Sequence, residues 1–300
     1  MLRRQDAAGR GPVSRLLGRA KVDQTATAEL EAAQARVALL RSKLRAARLN
    51  NKALRGELRR TRQGLNNTRS SVRDPDPRVP LSDTVSEVIR QVQAEKLSYL
   101  KRANLEMLAK LAVTLETDQI PGLVIEAGTA RGGSAIVLAA AKDPSRPMKV
   151  YDVFGMIPPP GEHDGEDVHA RYAKIVSGTS AGIEGDTYYG YRDNLFDEVT
   201  ESFARLGVPV AENRVELIQG LFADTIDLDE PVALAHLDGD WYESTMTCLE
   251  RIAPLLVPGG RIVLDDYYAW SGCHIAVDEY FAGRPEFLVE HRARVQVLRR

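Results

Sequence analysis

The stretch VALAHLD, residues 232–238, is an apolar run that ends in an acid, and IVLDD, residues 262–266, repeats the pattern with two acids. Short apolar runs of this kind are typical of buried strands in a parallel sheet. If both are parallel strands, Asp238, Asp265 and Asp266 meet at the edge where open α/β sheets bind ligands. Three carboxylates converging there are the hard oxygen ligands that a divalent cation such as Mg²⁺ needs.

Five further apolar runs extend this pattern into a sheet. Helical stretches lie between most of them, and strands that alternate with helices predict a doubly wound, mostly parallel α/β sheet of seven strands. The seven predicted strands are Leu123–Ala127, Met148–Phe154, Arg214–Gln219, Val232–Asp238, Arg261–Asp265, Phe287–Glu290 and Arg294–Leu298.

The turn after the first strand, EAGTARGGS at residues 126–134, contains three glycines. Glycine allows the backbone to approach a ligand closely, and we expect a helix to begin near Ser134 as its N-cap. The turn is not the G-x-G-x-x-G dinucleotide fingerprint, because Ala130 stands where the second glycine is required. A turn with a purely structural role is the alternative.

Two acids further along the chain fit an adenosyl ligand. Asp152 ends the second strand, a position where an acid commonly holds ribose hydroxyls. Asp224 follows the third strand and could accept a hydrogen bond from an adenine amino group. It could equally cap the next helix.

A long segment, residues 155–192, follows the second strand and is rich in glycine, proline and tyrosine. Loops of this length are usually lids or disordered. We predict a substrate lid that orders on binding and whose aromatic rings stack on a sugar or an aglycone; an oligomer contact is the alternative. Trp241 and Trp270 could wall the acceptor pocket or pack in the core.

The amino-terminal region has a different character. Residues at heptad spacing from Leu30 to Leu65 are apolar except for Asn51, which predicts a coiled-coil helix over residues 26–65. Arg and Lys dominate the positions that flank the seam, so we expect weak self-pairing at low salt. The helix should serve either as a homo-oligomer contact or as a binding site for an acidic protein partner.

The rest of the chain organisation follows from composition. Residues 1–25 are predicted to form a disordered basic tail, and residues 66–80, with two Asp-Pro pairs, a linker. A catalytic domain then spans residues 81–300. Its helical cover, residues 83–116, should begin near Asp83, because Thr84 and Glu87 have capping-box spacing.

Charge, apolar run length and cysteine content argue against several classes of function. Residues 1–73 carry 18 Lys and Arg against 5 Asp and Glu, whereas the chain as a whole has a net charge of −2. Nucleic-acid binding is not favoured, because no aromatic residue interleaves the basic stretch. No run reaches the ~18 apolar residues of a spanning helix. Two cysteines, without a disulfide framework or a zinc pattern, favour a reducing, cytoplasmic location.

A family resemblance rests on six pieces that occur in order over about residues 85–300: VIEAGTARGGSA, VYDVFGMIPPP followed by Asp164, LIQGLFADT, HLDGDWYEST, PLLVPGGRIVLDDYY and SGCHIAVDEYF. Together they resemble the macrocin O-methyltransferase (TylF-like) family of class I methyltransferases, which use S-adenosylmethionine. The resemblance implies a Mg²⁺-dependent O-methyltransferase acting on a sugar hydroxyl of a glycosylated natural product or a surface glycan. It implies Asp238, Asp265 and Asp266 as metal ligands. The implied cofactor contacts are Glu126, Gly128, Thr129, Ser134, Asp152 and Asp224.

The chemistry agrees with this resemblance. A divalent cation that binds two neighbouring hydroxyls lowers their pKa and orients one of them toward a methyl sulfonium. Only a base is then required, and Asp238, Asp240 and His274 are the candidates, with a structural role for His274 as the alternative. Two other functions remain open: a catechol or other diol O-methyltransferase, and a coiled-coil adaptor with a catalytically silent domain.

Overall fold

The structure, a computed structural model, describes residue 30, residues 33–45 and residues 79–300. The predicted tail, most of the predicted coiled coil and most of the predicted linker lie outside the described residues. Residues 33–45 are helical, as expected for that stretch. Three of its seam residues, Val37, Leu40 and Leu44, are exposed.

Residues 123–299 contain a seven-stranded sheet with the strand order β3-β2-β1-β4-β5-β7-β6. Strands β1 to β5 are parallel, and β7 runs antiparallel to both β5 and β6. The prediction of a doubly wound, mostly parallel α/β sheet is therefore confirmed. The strands are β1 Leu123–Ala127, β2 Met148–Asp152, β3 Val215–Gln219, β4 Val232–Leu237, β5 Leu256–Leu264, β6 Phe287–His291 and β7 Val295–Arg299.

Helices cover both faces of this sheet, because side chains along each buried strand alternate between two apolar cores. Val124 points into one core, whereas Leu123 and Ile125 point into the other. The helices are α1 Asp83–Ala94, α2 Arg102–Thr117, α3 Gly133–Ala141, α4 Glu166–Val176, α5 Leu195–Arg205, α6 Phe222–Thr225, α7 Tyr242–Ile252 and α8 Ser271–Phe281, with 3₁₀ turns at Ile183–Gly185, Tyr189–Tyr191 and Ala253–Leu255.

The helical cover consists of two helices, α1 and α2. Helix α1 begins at Asp83 as predicted, but its cap is Ser82, whose hydroxyl accepts from the N–H of Val85 at 3.2 Å. The expected Thr84 capping box is thus wrong by two residues. The break between the helices touches the glycine turn, since Gly133 N–H donates to the carbonyl of Leu97 at 3.1 Å.

The predicted lid segment, residues 155–192, is more ordered than its composition suggested. It contains helix α4, and Val168 and Ile175, seven residues apart, place their side chains on one face of that helix. These side chains pack with Ile157, Tyr188 and Trp241 in a small apolar cluster of their own. The glycines and prolines of the segment all lie outside this helix, so the composition of the whole segment indicated a loop.

Among the helices that the structure describes, none combines the length and the apolar character required to span a bilayer. Cys248 and Cys273 are both buried and are not joined in a disulfide.

Candidate active site

A cavity of about 420 Å³ opens at the carboxyl ends of the central strands, which is large enough for a small-molecule site. Its floor includes Asp152, the last residue of β2, and three residues that directly follow β1, β4 and β5: Gly128, Asp238 and Asp265. The predicted lid segment forms another wall. Further lining residues are Tyr99, Ile157, Arg171, Tyr188, Tyr189, Leu221, Phe222, Ala223, Trp241 and Trp270.

The structure brings together the three acids that the strand pattern placed at one edge. Carboxylate oxygens from Asp238, Asp265 and Asp266 lie within 4.8 Å of one another. The sheet ladder holds two of them, because Asp238 N–H donates to Ala127 at 2.9 Å and Asp265 N–H donates to Leu237 at 3.0 Å. Asp238 and Asp265 therefore continue the hydrogen-bonded ladder of their strands, and Asp266 is the residue that follows Asp265.

The electrostatics of this trio favour a cation. Desolvation and the charges of its neighbours raise the pKa of Asp238 well above its usual value. Desolvation and the charge of Asp265 raise the pKa of Asp266 to about 6. Asp265 behaves differently: burial opposes its ionisation, but His236 and Arg294 outweigh burial and lower its pKa. Three clustered carboxylates with these properties fit a hard divalent cation, whose charge would offset their mutual repulsion.

Asp240 lies beside the trio and also lines the cavity. Its N–H donates to the carboxylate of Asp266 at 3.0 Å, and its backbone adopts the left-handed conformation with φ of +57°. Desolvation and the charge of Asp266 raise the pKa of Asp240 well above its usual value. A non-glycine residue with positive φ is uncommon, and such conformations cluster at functional sites.

The glycine turn lies next to the trio. Gly128 has a φ of +89°, and a Cβ at this position would overlap the carbonyl oxygen of Asp238. Asp152 organises the turn, because its carboxylate accepts from the N–H groups of Thr129, Ala130 and Phe154 at 2.7, 3.0 and 2.7 Å. Burial nevertheless raises the pKa of Asp152. Asp152 thus holds the turn in place as well as lining the cavity.

Two predicted cofactor contacts, Glu126 and Ser134, do not reach the cavity. Glu126 is fully buried and accepts from the Ser134 hydroxyl and, at 2.9 Å, pairs with Nδ1 of His236. Gly132, with a φ of +86°, occupies the N-cap position of α3 that was expected for Ser134. The two side chains are therefore hydrogen-bonded to each other inside the core.

Sequence reasoning missed His236, which lies on β4 two residues before Asp238. Burial acts to lower its pKa, but the charge of Glu126, together with Asp265, raises the pKa of His236 to about 10. Its Nε2 lies 3.8 Å from Asp265, within ion-pair range although too far for a hydrogen bond. A signal was present, because Glu126 and His236 each interrupt an otherwise apolar run, and buried ionisable groups are normally paired.

Three other predicted residues lie outside the cavity lining. Thr129 is buried, and its backbone N–H donates to the carboxylate of Asp152. Asp224 is exposed on the one-turn helix α6, whereas its neighbours Leu221 to Ala223 do line the cavity. His274 is exposed on α8, stacks on Tyr267 and pairs with Asp278 at 3.0 Å. The geometry therefore does not support His274 as the group that removes a proton.

Part of this chain is similar in sequence to two named O-methyltransferases. One relative is 8-demethyl-8-(2,3-dimethoxy-alpha-L-rhamnosyl)-tetracenomycin-C 4'-O-methyltransferase of Streptomyces olivaceus, to which the chain is 33% identical over 213 residues. The aligned region covers 69% of this chain and 73% of that protein. It is 30% identical over 174 residues to demethyldecarbamoylnovobiocin O-methyltransferase of Streptomyces niveus, covering 55% of this chain and 60% of the relative.

A solved structure shares the fold. The O-methyltransferase NovP superposes with a TM-score of 0.55 and 24% identity, over 68% of this chain and 81% of that one. The sequence profile of the family described as macrocin-O-methyltransferase (TylF) matches residues 95–285. That match spans more than half of the chain and contains the glycine turn, the lid segment and the acid trio. The chain therefore belongs to the macrocin-O-methyltransferase (TylF) family and is an S-adenosylmethionine-dependent O-methyltransferase.

Proposed function

We propose that this protein transfers a methyl group from S-adenosylmethionine to a sugar hydroxyl of a glycosylated natural product or a surface glycan, with Mg²⁺ held by Asp238, Asp265 and Asp266. The observation that carries the proposal is the position of these acids: their oxygens lie within 4.8 Å of one another at the floor of the cavity. The tetracenomycin relative, whose name specifies a rhamnosyl-bearing substrate, supports a sugar acceptor.

The donor side of the proposed site is formed by the glycine turn. Gly128 allows the backbone to approach the donor without a side chain, and Asp152 is placed to accept from ribose hydroxyls while it holds the turn. Leu221 and Phe222 supply an apolar surface for an adenine ring. We assign Glu126 and Ser134 a supporting role beneath this turn, because their side chains pair with each other.

The acceptor side needs a hydroxyl that can lose its proton. Mg²⁺ bound at the trio would lower the pKa of a hydroxyl that it contacts and supply a fixed positive charge. The chain contributes the rest: rigid strand ends that fix the trio, and walls that exclude water and orient the acceptor for in-line transfer. The leaving thioether needs no proton, so one base suffices.

We assign that base to Asp240 ahead of Asp238. Asp240 lines the cavity but does not belong to the three acids whose oxygens converge, so its carboxylate, which is hydrogen-bonded to Trp270, would not be a metal ligand. Its N–H bond to the carboxylate of Asp266 holds Asp240 beside the proposed cation site, where a carboxylate can reach a hydroxyl bound there. Asp238 is the alternative, as a ligand that also accepts the proton.

The aromatic walls of the cavity are also compatible with a second class of acceptor, the aromatic diols. Tyr188, Tyr189, Trp241 and Trp270 present aromatic surface that suits a sugar face or an aromatic diol. A catechol would use the same cation in the same way, so it is the second candidate. A catalytically silent adaptor has no support here, because the domain belongs to an enzyme family and retains the acid trio.

Labelled methyl transfer distinguishes these possibilities. The protein is incubated with labelled S-adenosylmethionine and Mg²⁺, over a panel of rhamnosides and other glycosides with vicinal diols, and in parallel with catechols. We expect transfer to a glycoside that EDTA stops and Mg²⁺ restores. Transfer to catechols alone would replace the sugar proposal, and full activity in EDTA would remove the cation from it.

A further inference from the structure

The lid segment makes a polar contact with the turn that carries Asp240. Asp164, a motif acid without a role so far, is only 7% exposed. One of its carboxylate oxygens accepts from the N–H of Tyr242 at 2.9 Å, and the other accepts from the N–H of Gly161 at 2.9 Å. Tyr242 is the first residue of α7, so Asp164 caps this helix from 78 positions away in the chain.

Helix α7 has no side-chain cap from its own N-cap residue, Trp241. An unsatisfied buried N–H at a helix start is costly. Helix α8 packs close to the same carboxylate, since a Cβ on Gly272 would overlap an oxygen of Asp164. Asp164 therefore lies between the first turns of α7 and α8, which follow the acids of β4 and β5.

The turn between β4 and α7 is short and strained. It consists of residues 238–241, with Asp240 at a φ of +57° and Trp241 N–H bonded to Gly239 at 2.6 Å. The strand ladder fixes Asp238 at one end of the turn. The lid segment fixes the other end, through Asp164 and through the carbonyl of Pro158, which accepts from Trp241 Nε1 at 3.0 Å.

We propose that Asp164 is a positioning residue that holds Asp240 against the cation site by capping α7 from the lid segment. With both ends of the turn fixed, Asp240 keeps its left-handed backbone and its N–H bond to Asp266. Without the cap, the first turn of α7 is free to relax, and Asp240 relaxes with it. The inference rests on the proposed function, because it uses Asp240 as the proton acceptor of that reaction.

The test compares Asp164→Ala and Asp164→Asn with the unaltered protein. Alanine removes both acceptors, whereas asparagine keeps one carbonyl oxygen for the N–H of Tyr242. We expect Asp164→Ala to lower kcat by ~10–100-fold, as for other residues that orient a catalytic group. S-adenosylmethionine affinity, measured by calorimetry, should stay within about twofold, and Asp164→Asn should recover most of kcat. Glu166→Gln, an exposed change on the same segment, should leave every value unchanged.

Tryptophan fluorescence gives a readout that needs no turnover. Trp241 and Trp270 are the only tryptophans in the chain, and Trp241 is 1% exposed. Release of the turn should shift the emission of Asp164→Ala to longer wavelength and leave that of Asp164→Asn near the unaltered protein. An unshifted emission in a folded Asp164→Ala protein, or an unchanged kcat, would overturn the proposal. If the unaltered protein transfers no methyl group, the proposed function fails, whereas the fluorescence comparison still tests the position of the turn.

Discussion

Gly128 and Asp238 touch where β1 and β4 end: a Cβ on Gly128 would overlap the carbonyl oxygen of Asp238. Gly128 belongs to the proposed donor turn, and Asp238 belongs to the proposed cation site. Their contact sets the distance between the two halves of the reaction on neighbouring, hydrogen-bonded strands. Methyl transfer requires such a fixed distance, since the reacting atoms must be aligned.

Replacement of Gly128 by alanine should therefore separate the two halves. The change adds positive-φ strain of about 1–2 kcal/mol and an overlap with Asp238, and we expect kcat/KM to fall roughly 100-fold. Gly207→Ala is the matched control, because Gly207 has a φ of +78° but no atom within 4 Å of an added Cβ. Equal losses of activity in the two variants would contradict the importance of the contact. For both variants, kcat/KM is measured by methyl transfer and stability by thermal unfolding.

Removal of one proposed metal ligand should abolish turnover and spare donor binding. For Asp238→Asn we expect a loss of roughly 100-fold or more in kcat, because cation catalysis contributes several kcal/mol. Calorimetry should show S-adenosylmethionine affinity close to that of the unaltered protein. Asp224→Asn, a change to an exposed acid outside the cavity lining, serves as the control and should keep full activity. Retained turnover in Asp238→Asn would remove this residue from the metal site.

The choice of base can be tested with two further variants. Asp240→Asn should lower kcat by about 100-fold or more, as expected when general-base catalysis is lost. His274→Ala should retain activity, since His274 pairs with Asp278 on the exposed side of α8. The measurement is kcat with saturating acceptor and Mg²⁺. The reverse result, with His274 essential and Asp240 dispensable, would require a different orientation of α8 in the working enzyme.

The pH dependence of stability has a local source in the helical cover. Arg146 pairs through two nitrogens with the carboxylate of Glu116, at 2.6 and 2.9 Å. Burial acts to raise the pKa of Glu116, but its bonds with Arg146 outweigh burial and hold that pKa below its usual 4.5. A lowered carboxyl pKa stabilises the fold above the unfolded pKa, and this stabilisation is lost as pH falls through the folded pKa.

The free energy of unfolding of Glu116→Gln should therefore be lower than that of the unaltered protein at neutral pH, and the difference should shrink below about pH 4. Urea unfolding over this range measures it. Glu106→Gln is the control, because Glu106 pairs with Arg102 on the exposed surface, where ion pairs contribute little. A difference between Glu116→Gln and the unaltered protein that persists at about pH 3 would argue against the ion pair as its source.

Self-association through the predicted coiled coil should increase with salt. Like charges flank the heptad seam of residues 26–65, and salt screens their repulsion. Sedimentation velocity of the whole chain should show more dimer at high salt than at low salt. A chain without residues 1–78 should lose this dependence. Tight dimers of the whole chain at low salt that disappear with this deletion would show that the flanking charges do not oppose pairing.

Much of the fold could be predicted because each buried strand is a short apolar run that is visible in the sequence. Apolar runs of five or six residues, separated by helical stretches, indicated the parallel sheet, and the acids at the ends of two runs indicated the trio. The helix within the lid segment was not predicted, because the surrounding glycines and prolines indicated a loop and outweighed the apolar face formed by Val168 and Ile175. The helical spacing of Val168 and Ile175 is present in the sequence, but two residues are too few to predict a helix.

The sequence by itself determined which acids lie together at the sheet edge, since the carboxyl ends of all strands in a parallel sheet lie at the same edge. Only the tertiary structure decided what each neighbouring side chain does. Glu126 and His236 are register partners on β1 and β4, so they pair in the core rather than facing a ligand. Asp164 reaches α7 through the packing of the lid segment. Pairings between residues about a hundred positions apart depend on strand register and helix packing, which local patterns do not specify.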